Sequence, residues 1–385
     1  MRQRYKSPTI SALAALAVLL VSGCATPGTA RRCDRPTLPA HVTLYAASAS
    51  PDGASAWALN GASGKRLWRT PILGATVGPI LAGGTLYVTA TSGYVFALNA
   101  RDGSLRWRVS VSPDLFPTDF ALDGSTLYVS TSDSSAHTSA LRALDAATGT
   151  LRWRSAFSGD ISPGLAPVAD RIYLGWSTCG GPCPTGALLA VNAHTGAIVW
   201  RHELPGDPYS RPVVAGNRVY MSVDGGWVEA FDAATGAQLW RTQPPGYEVG
   251  LSHVDVAGGL VYVAASRTFF ALDGNDGRLR WRAQVPGSPD STHQQYGPAV
   301  VHGTLYALAN NDETGYALDP KSGSIRWQYD GLGYSPTLAP AVDRGVTYLL
   351  TAGGAIVALR ESDGTFIKRF ELGLIGTSAA LVVGR

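Results

Sequence analysis

Short runs in which apolar residues alternate with small or polar ones recur along the whole chain. This is the period-two pattern of a strand with two distinct faces. Eight of these runs end in a tyrosine: Tyr45, Tyr87, Tyr128, Tyr173, Tyr220, Tyr262, Tyr306 and Tyr348, spaced 41 to 47 residues apart. After each comes a run of the form Ala-Leu-Asx, a turn closed by glycine, and a third run ending in tryptophan. FALNARDGSLRWR, RALDAATGTLRWR and FALDGNDGRLRWR are three of the copies. Seven copies carry the indole, as Trp68, Trp107, Trp153, Trp200, Trp240, Trp281 and Trp327. In the eighth copy, VALRESDGTFIKR, Arg360 replaces the Asx and Lys368 the tryptophan.

Each letter has a physical reason. The side chains of Asp145, Asn192 and Asp232 can accept hydrogen bonds from turn amides, and Gly149, Gly196 and Gly236 can take a positive φ that strains other residues. Each motif is therefore a β-hairpin with a specified turn. The indole adds an apolar surface that a single sheet cannot bury, whereas a neighbouring sheet stacked on it can. A repeat of this length with four strands per unit predicts an all-β fold, an eight-bladed β-propeller of four-stranded antiparallel blades over residues 42–385. Internal repeats open with an extra strand such as Pro212–Gly216. The first repeat lacks it and starts at Val42, while an orphan strand of the same kind, Ala379–Gly384, stands at the C-terminus. That strand is expected to complete the first blade and close the ring. Truncating Trp153 to alanine is expected to cost about 3–5 kcal/mol as a large buried deletion. The divergent eighth copy has two readings: drift beside the closing seam, or a less sealed groove between blades eight and one.

The Ala-Leu-Asp, Thr-Gly, Trp pattern resembles the repeat of the pyrroloquinoline-quinone (PQQ) family and covers roughly residues 42–385. In that family the tryptophan docks on the next blade, so the resemblance implies that the seven indoles are structural. The arrangement also looks like the propeller lipoprotein of the outer-membrane β-barrel assembly machine.

The N-terminus changes the picture of compartment. Arg2, Arg4 and Lys6 precede an apolar run, Ile10–Val21, which is too short to span a bilayer and fits a signal peptide over 1–23. Val21-Ser22-Gly23-Cys24 resembles the lipobox of bacterial lipoproteins, which implies lipid on Cys24, a tether over 24–41 and a location outside the cytoplasm, on the cell membrane or an outer membrane. The formal charge is +3, all of it supplied by those three basic residues. The mature chain is therefore near neutral and lacks the basic footprint of a nucleic-acid binder. Outside the cytoplasm thiols tend to oxidise, so Cys179 and Cys183 are expected to form a disulfide across a small loop, leaving Cys33 unassigned.

If strands run outward from the channel, the Asx-Thr-Gly turns occupy one face and the longer, varied loops the other. Loops on a rigid scaffold are where binding concentrates. Asp119, Tyr209, Arg211, His253, Asp255, Gln295, Tyr296 and Tyr334 approach the starts of inner strands and are the candidate lining of a funnel. Trp176, outside the repeat series, is the candidate aromatic for stacking on a sugar. His253 and Asp255 alone make no metal site, since spacing supplies no third ligand, and no catalytic residue is assigned. Three functions are weighed. A tethered scaffold would bind another envelope protein or peptide without a cofactor. A PQQ dehydrogenase would hold the quinone with calcium over the channel, but the family's adjacent cysteine pair and haem-attachment motif are absent and these blades are nearly minimal. A small-ligand or glycan sensor would use the funnel.

Overall fold

The computed structural model describes residues 38, 42–48, 54–74, 76–111, 116–133, 136–162, 164–178, 186–208, 210–245, 253–265, 267–286, 298–308, 314–332, 340–351, 354–371 and 380–384. Eight antiparallel sheets form the blades, and the described elements are all strands. Blade two shows the plan: Thr76–Ala82 innermost, then Thr85–Ala90, Tyr94–Asn99 and Leu105–Ser110 outermost. Blade four departs from it, because its inner strand is broken into Asp160–Ile161 and Ala166–Val168, both paired with Arg171–Ser177. Blade one is assembled from both ends of the ring. Ala380–Gly384 pairs with Thr43–Ser48 as its innermost strand, Thr43 opposite Gly384 and Ala47 opposite Ala380. Sealing the circle this way leaves no blade without its inner partner.

The repeat letters meet in one device. In blade two, Ala97 lies opposite Tyr87 on one side and Trp107 on the other. The small alanine lets the two rings meet across the sheet, with centroids 6.0 Å apart. Both rings then reach for the same atom in blade three: the Tyr87 hydroxyl donates to the Ala146 carbonyl at 3.0 Å and the Trp107 indole at 3.1 Å. Tyr128 with Trp153 does the same to Ala193, Tyr173 with Trp200 to Ala233, Tyr220 with Trp240 to Gly274, and Tyr262 with Trp281 to Pro320. A carbonyl with two lone pairs can accept both bonds, so no buried donor is stranded there.

The turn glycine completes the contact. A Cβ on Gly149 would lie 2.8 Å from the Trp107 ring, and one on Gly277 2.6 Å from that of Trp240. The glycine therefore serves twice, through its positive φ and through the flat seat it offers the indole. The Asx builds the turn beneath: Asp145 Oδ1 accepts from the amides of Ala147 and Thr148, each at 3.0 Å. Burial of the indoles is uneven. Trp68, Trp240 and Trp327 are buried, whereas Trp107, Trp153, Trp200 and Trp281 are half-buried. The expected cost of Trp153→Ala accordingly moves to the low end of its range, near 3 kcal/mol.

At the eighth interface the structure corrects the idea of an unsealed groove. Lys368 donates to the Ala62 and Ser63 carbonyls of blade one, each at 3.2 Å. Phe370, two residues further on, is buried, and its ring sits where a Cβ on Gly64 would be, 2.1 Å away. A continuous apolar cluster, including Tyr348, Ala358, Phe370, Val42 and Leu44, joins the two blades. The seam is filled by other residues.

Candidate functional site

Inner strands carry little side-chain bulk, and this leaves a channel. Along blades two to six it opens into a cavity of about 750 Å³ walled by Gly78–Ile80, Asp119–Leu122, Ala166–Val168, Arg211–Val214, Val254 and Asp255. Prolines recur in this wall as Pro79, Pro167 and Pro212. Proline suits a strand whose outer partner is satisfied and whose inner edge faces the channel, because no ladder donor is lost there. The recurring proline before an apolar pair was the sequence signal for this lining, and it points to the wall better than any loop residue.

Three predicted funnel residues come together here, and all three bind backbone of a neighbouring blade. Asp119 of blade three accepts from the Leu165 amide of blade four at 2.7 Å. Arg211 of blade five donates to the Leu165 carbonyl at 2.6 Å. Leu165 lies in the gap of the broken inner strand, so the two side chains replace the ladder bonds that the break removes. Asp255 of blade six accepts from the Val300 amide of blade seven at 2.6 Å and from its own Val256 amide at 2.7 Å. Burial pushes both carboxyls above the usual carboxylate value. The Arg211 charge and the Leu165 amide oppose the rise at Asp119, and the Val300 and Val256 amides oppose it at Asp255. Leu165, whose backbone joins blades three, four and five, was not foreseen, because a backbone acceptor leaves no mark in the residue letters.

The other candidates separate. His253 is absent from the wall itself but borders it at Val254, where burial and the Arg211 charge hold its imidazole below the usual value. Trp176 is a correction: it is buried in the core between blades three and four, with the Arg201 guanidinium 4.3 Å from its ring centroid, so its faces are already occupied. Tyr209, Gln295, Tyr296, Tyr334, Cys179, Cys183, Cys33 and Cys24 lie outside the described residues. In the described wall a tricarboxylated quinone with its cation would meet one guanidinium, two acids already engaged by amides, and Phe120 among prolines and valines.

Comparison with known proteins assigns the ring. The family model described as outer membrane protein assembly factor BamB matches residues 52–141, 137–248 and 224–374, which together span most of the propeller. The chain belongs to this family. The BamB of Burkholderia pseudomallei is 30% identical over 160 residues, 40% of this chain and 39% of that protein, so the chain matches well under half of that relative's length. The crystal structure of BamB from Moraxella catarrhalis superposes with a TM-score of 0.57 at 19% identity, covering 82% of this chain and 88% of that one. The quinohemoprotein alcohol dehydrogenase of Comamonas testosteroni gives 0.61 at 14% identity, covering 83% and 71%. At these identities the two structures share the fold with this BamB-family ring.

Proposed function

We propose that the chain is an exported, lipid-anchored interaction scaffold that serves envelope protein assembly. Residues 1–23 are removed, Cys24 carries the lipid, residues 24–41 form the tether, and Cys179 and Cys183 close a disulfide. The partner is another envelope protein or an extended peptide, taken by the face of longer loops. The observation that carries this reading is the BamB-family match across three overlapping stretches of a ring that closes on itself. A rigid closed ring holds variable loops at fixed spacing, which is what a docking platform needs.

The test has two arms. Labelling cells with radioactive palmitate should mark the protein and fail to mark Cys24→Ala. A photo-crosslinking residue at Thr138, exposed on the loop face, should capture a discrete envelope protein, whereas one at Thr235 on the turn face should not. Dye-linked alcohol oxidation by the purified protein with PQQ and calcium would instead establish a dehydrogenase. The channel cavity beside Asp119 and Arg211 favours one second reading, a small-ligand or glycan sensor. Calorimetric titration with cell-wall sugars tests it, because heat that disappears in Arg211→Ala would place a ligand in the channel.

A further inference from the structure

The two faces differ in a second respect, which concerns the membrane. In blades two, three, four, six, seven and eight the outer strand begins with a large apolar residue: Leu105, Leu151, Ile198, Leu279, Ile325 and Phe366. These are between 40% and 54% exposed. Each lies opposite the residue just before the Asx position, as Leu105 opposite Leu98 and Leu279 opposite Leu272, which puts it at the turn end of its strand. Blades one and five shift the feature by one residue, to Leu67 and Leu239. Scattered apolar side chains on a surface need no explanation, but these occupy equivalent places in six of the eight blades and adjacent places in the other two, all at the turn end of the outer strand.

Two further observations say what covers that face. The chain enters the ring there: Thr43 pairs with Asn60, and the Val42 carbonyl accepts from the Gly61 amide of the first turn at 2.7 Å. Val42, where the described chain enters its first strand, therefore stands at the rimmed face. Four ion pairs lie among the charges of this face, beside exposed Lys65, Arg101 and Lys321 in the same series of turns. Arg152 with Asp145, Arg280 with Asp273, Arg326 with Asp319 and Arg360 with Asp363 pair at 2.6 to 2.7 Å. Short uniform turns leave nothing to hold a flat surface away.

We propose that the turn face lies against the lipid surface, with the apolar rim seated at the headgroup–acyl boundary and the loop face turned outward. This rests on the anchor reading, because the tether brings the face to the bilayer. An interfacial contact of this kind draws on buried apolar area, and exposed Lys65, Arg101 and Lys321 add an attraction to anionic headgroups that salt screens.

The experiment uses the full chain, purified from membranes in detergent and reconstituted into phosphatidylethanolamine–phosphatidylglycerol vesicles that carry a diazirine in the acyl chain. After illumination, mass spectrometry maps the labelled peptides and weighs the Cys24 peptide. Peptides holding Leu105, Leu151 and Leu279 should be labelled about tenfold above those holding Leu73 and Thr138 on the loop face at low salt, and still above them at high salt. Combined Leu105→Glu, Leu151→Glu and Leu279→Glu should cut rim labelling about fivefold with an unchanged melting profile. Rim labelling no higher than that of the loop face overturns the proposal, whether or not Cys24 is acylated, and points to a protein covering the rim. A labelled rim without an acyl chain overturns the anchor and keeps the orientation.

Discussion

Seven of the eight blade interfaces are made by a tryptophan and the eighth by a lysine and a phenylalanine, and the contrast separates two tasks that the indole performs together. One is to donate a hydrogen bond to the next blade's turn: Trp240 gives 3.0 Å to Gly274, and Lys368 gives 3.2 Å to Ala62 and Ser63. The other is to lay an apolar plate on the turn glycine: Trp240 covers Gly277, and Phe370 covers Gly64. The indole unites both on one Cα. At the seam they sit two residues apart, and the Lys368 ammonium lies 5.1 Å from the Phe370 ring centroid. The interface thus requires a donor and a plate, and it tolerates how they are distributed.

The largest effect that can break the comparison comes from the closing strand. Removing Ala380–Gly384 leaves Thr43–Ser48 with a bare edge and takes Val383 from the apolar cluster of the seam. A loss on the order of 5 kcal/mol is expected, from unmade ladder bonds and exposed core. Calorimetry should show the single transition broadened and lowered. A truncated chain melting within about 2 °C of the intact one would mean that the seam carries no share of the ring's stability. Next come the plates themselves. Trp240→Ala should cost about 3–5 kcal/mol and Phe370→Ala about 3 kcal/mol, with Lys368→Met near 1 kcal/mol because its hydrogen bonds are partly solvated. Urea unfolding measures all three. Equal losses for Phe370→Ala and Lys368→Met would undo the division of labour.

The ring was legible in the sequence for the same reason that it is stable: the tyrosine, alanine and tryptophan that flank one another in space recur at fixed intervals in the chain. The closing strand was legible as a piece missing from one end and present at the other. The seam was not, because Phe370 is displaced two residues from the tryptophan position and a frame-by-frame reading sees only Lys368. Trp176 was misplaced because an indole outside the repeat is written the same way whether it stacks on Arg201 or faces a ligand. Asp119 and Asp255 were placed at the channel, yet their bonds run to amides about 45 residues away. That reach across blades belongs to three-dimensional structure and has no local signature.

The smallest effect sharpens the comparison at the turns. Asp145 is held down to about 2, chiefly by the Arg152 guanidinium and the Thr148 hydroxyl. Asp232, Asp273 and Asp319 are lowered as well, with Thr235, Arg280 and Arg326 as the first causes. A carboxylate lowered in the folded state adds stability that is full above its ordinary value. That stability is lost as pH falls, here between 3.8 and about 2. Asp119 and Asp255 act in the opposite sense. Burial raises them, so their contribution is present below the ordinary value and fades as pH climbs through the raised one. The eighth turn has Arg360 at the Asx position and lacks this carboxylate. The first, second and fourth turns use asparagine: Asn192 Oδ1 accepts from the His194 and Thr195 amides, each at 2.9 Å, without a titrating group. Asp145→Asn combined with Asp232→Asn should therefore keep the turns intact at pH 7 and flatten the acid limb of a stability–pH curve measured by denaturant titration. An acid limb as steep as that of the unaltered protein would show that acid opens the ring somewhere other than at its turns.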